Sequence, residues 1–329
     1  MAALPTPIDR TTATTTARIS AGHNQRRVRC TRFPSIARPA LPLAHTQRLR
    51  QSQSVRRLPF PTLLALPVLG LLLGAAPAPR RIVSLNLCAD QYLLALADPG
   101  QIAALTQFSR DPEMSAAAAR AAGLPVSTGS AEDVLALRPD LLIASPGRLS
   151  GLTALMGSRR PPTLDLPTAD SFAAIQTQIR QIAAAVGHPE RGEALIARME
   201  VRLARLPRSA GGGRSAAYYQ RRGYLTGTGT LIDELMGRVG LTNLAGRLGK
   251  PPLAHMSLEE MALARPDFLI VETATDTVVD RGTEMLHHPV LGGIRRLRLP
   301  QAWTVCGGPA YVLAAESLAK QLSATNHAP

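Results

Sequence analysis

The sequence predicts an α/β protein of two Rossmann-like lobes with parallel sheets, joined by a long kinked helix. Three observations carry this expectation. Short apolar runs alternate with stretches of helical spacing, the pattern of strand-helix-strand units. The passage "SAEDVLALRPDLLI" from Ser130 returns 127 residues later as "SLEEMALARPDFLI" from Ser257, with seven of fourteen positions identical. One helix, proline stop and buried strand is therefore spelled once in each half. Between the halves, residues 170–206 keep the 3.6-residue period and break at Gly187-His188-Pro189, where Pro189 suits the first turn of a resumed helix.

In order along the chain, residues 1–54 are rich in Thr, Arg, Pro and Ser without sustained apolar periodicity, and read as a disordered leader or a start codon placed too far upstream. Residues 55–79 read as a secretory signal peptide. Arg56 and Arg57 form the positive region, an apolar run of about fourteen residues follows, and small residues around Ala75 to Ala78 offer a cleavage zone. The run is too short for a comfortable membrane span. A first lobe is expected over residues 80–169, with strands at "RIVSLNL", "IAALTQF", "LPVST" and "DLLIAS" and helices at "ADQYLLALA" and residues 132–137. The connecting helix takes residues 170–206. A second lobe, residues 207–329, repeats the order: strand "RSAAYYQ", helix "TLIDELMGRVG", strand "TNL", helix "LEEMALA", strand "DFLIVET", a last strand "AWTVCG" and a last helix "YVLAAESLAKQLS".

The net charge of +14 does not mark a nucleic-acid binder. Residues 1–60 hold eleven Arg against Asp9, so the rest of the chain carries only +4, with basic and acidic residues interspersed. Aromatics make up 3% of the residues, too few for stacking on bases along a basic face. Of three cysteines, Cys30 lies in the leader, leaving Cys88 and Cys306. An oxidising compartment permits their pairing, and the sequence leaves the pairing open. His255, His287 and His288 lack the companion spacing of a metal site. "TGTGT", residues 226–230, precedes a helix but lacks the lysine of a phosphate-binding loop. No G-x-S-x-G nucleophile turn is present, so no catalytic residue, metal or cofactor is assigned.

With its leader, "RIVSLNL" opening, paired "E-x6-P-D-x-L-I" passages, kinked connecting helix and "HPVL…W" tail, the chain resembles the periplasmic binding proteins of ABC importers, in the iron-complex (ferric siderophore) and vitamin B12 (cobalamin) class. The resemblance spans residues 81–322. It implies the class III architecture, a periplasmic location, a monomer, a ligand held between the lobes, and an ABC permease dimer as partner. Ligands of open α/β sheets bind beyond the carboxyl ends of the strands. There stand Asn86, Cys88, Phe108, Arg110, Ser145 and Arg148 in the first half, and Tyr219, Arg221, Arg222 and Tyr224 in the second. The four arginines suit an anionic ferric chelate. Phe108 matches an aromatic position of the cobalamin binders, but their corrin-flanking tryptophans correspond here to Ser145 and the Leu253-Ala254 neighbourhood. Ferric siderophore is therefore the favoured ligand and cobalamin the second. The resemblance also makes Glu132 and Glu259, each seven residues before its proline, the pair that docks on the permease. An exported α/β enzyme acting on such a chelate, or a chelate sensor, is the alternative.

Overall fold

The computed structural model describes residues 77–326. The expected leader, and all of the expected signal peptide but residues 77–79, lie outside them.

The first lobe comprises β1 (Ile82–Ser84), α1 (Leu87–Leu96), β2 (Ile102–Thr106), α2 (Ala118–Ala121), β3 (Val126–Ser127), α3 (Ala131–Leu137), β4 (Leu141–Ala144), α4 (Pro146–Met156) and β5 (Thr163–Asp165). Its strands are all parallel, in the order β3-β2-β1-β4-β5. Every residue of β1 and β4 is buried, as expected for central strands covered on both faces, and this is why they read as unbroken apolar runs. α2, α4 and β5 were not anticipated. α4 starts with Pro146 and includes Gly147 and Gly151, a composition that reads as loop.

The linker forms α5 (Phe172–Ala185) and α6 (Pro189–Ala204). The break falls where the sequence places it, but the chain reverses there instead of bending. Gly187, at φ +85°, closes α5 in a left-handed turn and Pro189 opens α6. Arg180 Nε donates to Glu193 at 2.8 Å and Gln176 Nε2 to Glu200 at 2.6 Å, so the two helices run antiparallel, side by side. Gly192 permits the approach: a Cβ there would lie 2.7 Å from that of Ala183. α5 buries Ile175, Ile179 and Ile182 in the core that also holds α1.

The second lobe comprises β6 (Ser215–Tyr218), β7 (Tyr224–Thr226), α7 (Leu231–Arg238), β8 (Thr242–Asn243), α8 (Leu244–Arg247), β9 (Leu253–His255), α9 (Leu258–Ala264), β10 (Phe268–Glu272), α10 (Thr273–Thr277), β11 (Arg295–Leu299) and α11 (Tyr311–Asn326). Its sheet is parallel, β11-β10-β6-β8, beside a small antiparallel pair β7-β9. The last strand is "RRLRL" and not "AWTVCG". The former alternates exposed arginines with buried Leu297 and Leu299, the signature of an edge strand. After Pro300 the chain instead makes a short 3-10 turn, Gln301–Trp303. α6 joins α11 through Arg202 and Glu316, 2.6 Å apart. The largest of three apolar clusters runs from Ile82 and Tyr92 through α5 and α6 to Phe268 and Leu318.

The repeated passage is a repeated structure. Ser130 and Ser257 cap their helices by accepting from the backbone N–H three residues on, of Asp133 and Glu260. Asp140 then accepts from the backbone of Arg80 and Arg81 at 2.7 and 2.8 Å. Asp267 accepts from the backbone and hydroxyl of Ser215 at 2.7 and 2.8 Å. Each aspartate thus fastens the start of the neighbouring central strand, β1 or β6, to the strand that follows the proline.

Candidate binding cleft

Both sheets change direction at a central strand, and there the loops beyond the carboxyl ends part to leave a crevice. In the first lobe this is a cavity of about 520 Å³. Asn86 and Cys88 line it from the end of β1, Thr106 and Phe108 from β2, Thr128 and Gly129 from β3, and Ser145 and Arg148 from β4. Asn86 faces it because its side chain caps α1, accepting from Cys88 and Ala89 N–H at 2.7 and 3.2 Å. Arg148 is fixed by donating to the Gly129 carbonyl at 2.8 Å. Phe108 is 46% exposed, an apolar ring offered to whatever enters.

In the second lobe a hollow of about 350 Å³ is lined by Gln220, Arg221, Tyr224, Leu253, Glu272 and Gln301. Tyr224 stands 43% exposed, edge-on to His255 with ring centres 6.0 Å apart. Arg221 pairs with Asp280 at 2.8 Å. That guanidinium, with two backbone N–H donors, draws the Asp280 pKa down to about 2. Glu272 is 6% exposed and accepts from the Tyr218 hydroxyl and the Gln220 amide at 3.2 and 3.3 Å.

The segment after Gln301 runs between the two hollows. Thr304 lies 3.0 Å from the Tyr218 hydroxyl, Val305 and Cys306 complete the wall of the larger cavity, and Cys306 is disulfide-bonded to Cys88. The pairing left open by the sequence is thus made. Tyr92 Oη, on α1, lies 2.6 Å from the Gly307 carbonyl, and Gly307 passes so close to Ala169 that a Cβ would sit 2.6 Å from its carbonyl oxygen. This strap belongs to both lobes. Beneath it, Asp90 is fully buried and accepts from the backbone and hydroxyl of Thr106, tying α1 to β2. Burial outweighs these hydrogen bonds and pushes its pKa up to about 6.

Of the residues expected at the cleft, Asn86, Cys88, Phe108, Ser145 and Arg148 share the larger cavity, and Arg221 and Tyr224 the smaller. Three are placed elsewhere. Tyr219 is fully buried with its hydroxyl donating to the Met256 carbonyl at 2.8 Å; next to Tyr218, it takes the opposite face of the sheet and joins the core of β9 and α9. Arg110 turns its guanidinium to the Leu124 carbonyl. Arg222, at φ 58°, is an exposed turn residue outside both walls. Sequence reasoning missed Thr106, Thr128, Gln301 and Glu272. Glu272 carried a signal, as the one charged residue of the buried run "FLIVE", at its carboxyl end.

Glu132 and Glu259 occupy the second position of their seven-residue helices and are exposed. The Glu259 carboxylate is held below the usual range by its own backbone N–H and the Ser257 hydroxyl.

Two lobes with parallel sheets, each open at its carboxyl edge and joined by a helical pair, define a binding protein with an interlobe cleft. A family model described as periplasmic binding protein matches residues 82–295, and the chain belongs to that family. It is 26% identical over 269 residues to the vitamin B12-binding protein of Pectobacterium carotovorum subsp. carotovorum (strain PC1), spanning 78% of this chain and 93% of that one. Among solved structures it is similar to the periplasmic heme-binding protein RhuT from Roseiflexus sp. RS-1, with a TM-score of 0.58 and 25% identity over 74% of this chain and 98% of that one. It also resembles the vitamin B12 binding protein BtuF of Vibrio cholerae, with a TM-score of 0.59 and 18% identity over 76% and 99%. The family and these relatives are described as binding proteins, and the chain is not an enzyme.

Proposed function

We propose that the protein captures a metal chelate between its lobes and delivers it to an ABC importer, with a ferric siderophore as the favoured ligand. The observation that carries this reading is the pair of hollows at the two sheets' carboxyl edges, one walled by Gln301 and the other by Val305 and Cys306 of the same strap. The larger presents Arg148, and the smaller Arg221, to an anionic ligand. Residues 55–79 direct export, and Glu132 and Glu259 are the contacts with the permease. A tetrapyrrole, cobalamin or heme, is the second reading, favoured by exposed Phe108 and Tyr224, one ring per hollow.

The test is titration of the protein with ferric hydroxamates, ferric catecholates, cobalamin and heme, following the fluorescence of Trp303, its one tryptophan. A ferric siderophore should bind tightly and be recovered unchanged. Tighter binding of cobalamin or heme would replace the first reading by the second, and no saturable binding of any of the four would overturn both. Tyr224→Ala should weaken binding, whereas Tyr219→Phe should leave it unchanged.

A further inference from the structure

A separate cavity of about 230 Å³ opens between α1, α2, α6 and the start of α11, and three cations meet in it. Arg120, Arg198 and Arg202 line it, no carboxylate does, and Met199 and Leu313 supply apolar wall. Arg202 is satisfied by a two-pronged pair with Glu316, at 2.8 and 2.6 Å. The side chains of Arg120 and Arg198 form no ion pair or hydrogen bond with any described residue. Arg198 and Arg202 are also one helical turn apart on α6, a spacing at which like charges repel.

The fourth polar group is the unusual one. Gln91, on α1, is 3% exposed and belongs to the wall of this cavity, and its Nε2 has no hydrogen-bond partner. Buried side-chain donors are almost always paired, so an orphan amide asks for an acceptor the chain itself does not supply. Two unpartnered guanidinia and one orphan N–H donor around a common void have the chemistry of an oxyanion site. A water takes about 30 Å³ of liquid, so the space admits a phosphate-sized group with several waters.

We propose that this cavity binds a small oxyanion of the phosphate class, with Gln91 Nε2 donating to it and Arg120 and Arg198 closing over it from α2 and α6. The bound anion would join three parts of the fold: Arg120 belongs to the first lobe, Arg198 to the connecting hairpin, and Ala310 and Leu313 to the terminal helix region. It would relieve the repulsion along α6 and clamp the lobes at a cavity that shares no wall residue with the ligand hollows. The chemistry is shared by free phosphate and by a phosphomonoester.

The full chain is titrated by calorimetry with inorganic phosphate and, separately, with glycerol 1-phosphate, against chloride at matched ionic strength. One saturable site is expected, and the tighter of the two arms identifies the source. At ten times the dissociation constant, the thermal midpoint should rise by about 3–6 °C. Arg120→Ala/Arg198→Ala should weaken binding by at least about ten-fold without changing the anion-free midpoint downward, because neither side chain has a partner to lose. Gln91→Leu keeps every charge and removes the orphan donor; it should raise the anion-free midpoint and still weaken binding several-fold. Absence of saturable binding in both arms, or wild-type affinity in either variant, would overturn the proposal.

Discussion

Arg138 and Arg265 hold the same left-handed backbone conformation, φ 44° and 40°, at the C-caps of α3 and α9. Each is followed by the proline and aspartate that start a central strand. A side chain in this conformation meets the adjacent carbonyl, a strain that glycine escapes. The Arg265 side chain is exposed and forms no hydrogen bond or ion pair with a described residue that would offset it. Arg265→Gly is therefore expected to stabilise the fold by about 1 kcal/mol, read as a higher urea midpoint at unchanged slope.

The matched caps put Glu132 and Glu259 at equivalent positions, exposed, at the starts of equivalent helices. Charges at matched places on two lobes would suit the two-fold partner proposed above and would set the register of docking. Glu132→Arg/Glu259→Arg should leave chelate affinity unchanged and reduce stimulation of the importer ATPase by at least about ten-fold. Unaltered stimulation would remove the pair from the docking surface.

Asp90 gives the fold a pH dependence of predictable sign. Its folded pKa, about 6, stands above the ordinary 3.8 because burial disfavours the charged form. Below pH 3.8 the side chain is neutral in both states and costs nothing. Between pH 3.8 and about 6 the unfolded chain ionises while native Asp90 stays protonated, so stability falls as pH rises, by about 3 kcal/mol in all, and the loss is complete above the folded value. Relative to Asp90→Asn, the wild-type protein should lose stability between about pH 4 and 6 and run parallel to it above about pH 7. Denaturant midpoints at five pH values suffice; equal slopes for both proteins would contradict the assignment.

The bond between Cys88 and Cys306 closes a loop of 218 residues. Constraint of the unfolded chain by a loop of this length is worth about 2–5 kcal/mol. Cys88→Ser/Cys306→Ser should lower stability by that amount, and protein lacking residues 1–76 should titrate no free thiol under denaturation until a reductant is added.

Where the sequence was legible, one physical signal dominated. β1, β4 and β10 are buried on both faces, so apolar runs between a helix stop and a polar loop could mean little else. Ser257, Glu260 and the Arg265-Pro266 stop fix α9 residue by residue, as expected. The hairpin of α5 and α6 was half visible: periodicity shows the two helices and Gly187 shows the interruption, but a reversal and a kink share the same local residues. β11 was overlooked because a strand on a sheet edge spends half its side chains on solvent, and "AWTVCG" looked the more apolar run. At the site, adjacency misled. Tyr218, Tyr219, Arg221, Arg222 and Tyr224 crowd one stretch, yet the two-residue period of β6 and the turn at Arg222 send them to different faces. Cys88 with Cys306, and the strap they secure, depend on contacts across most of the chain, which no local pattern records.

Because residue 88 is bonded to residue 306, the first thiol is made long before the second. At about 5–20 residues per second, its wait is on the order of 10–40 s. During that interval the remaining four strands of the first lobe are made, and the other cysteine already made is Cys30. Until Cys306 is made, Cys88 therefore has Cys30 as its one possible partner in the chain, and removal of residues 1–76 would leave it a single choice.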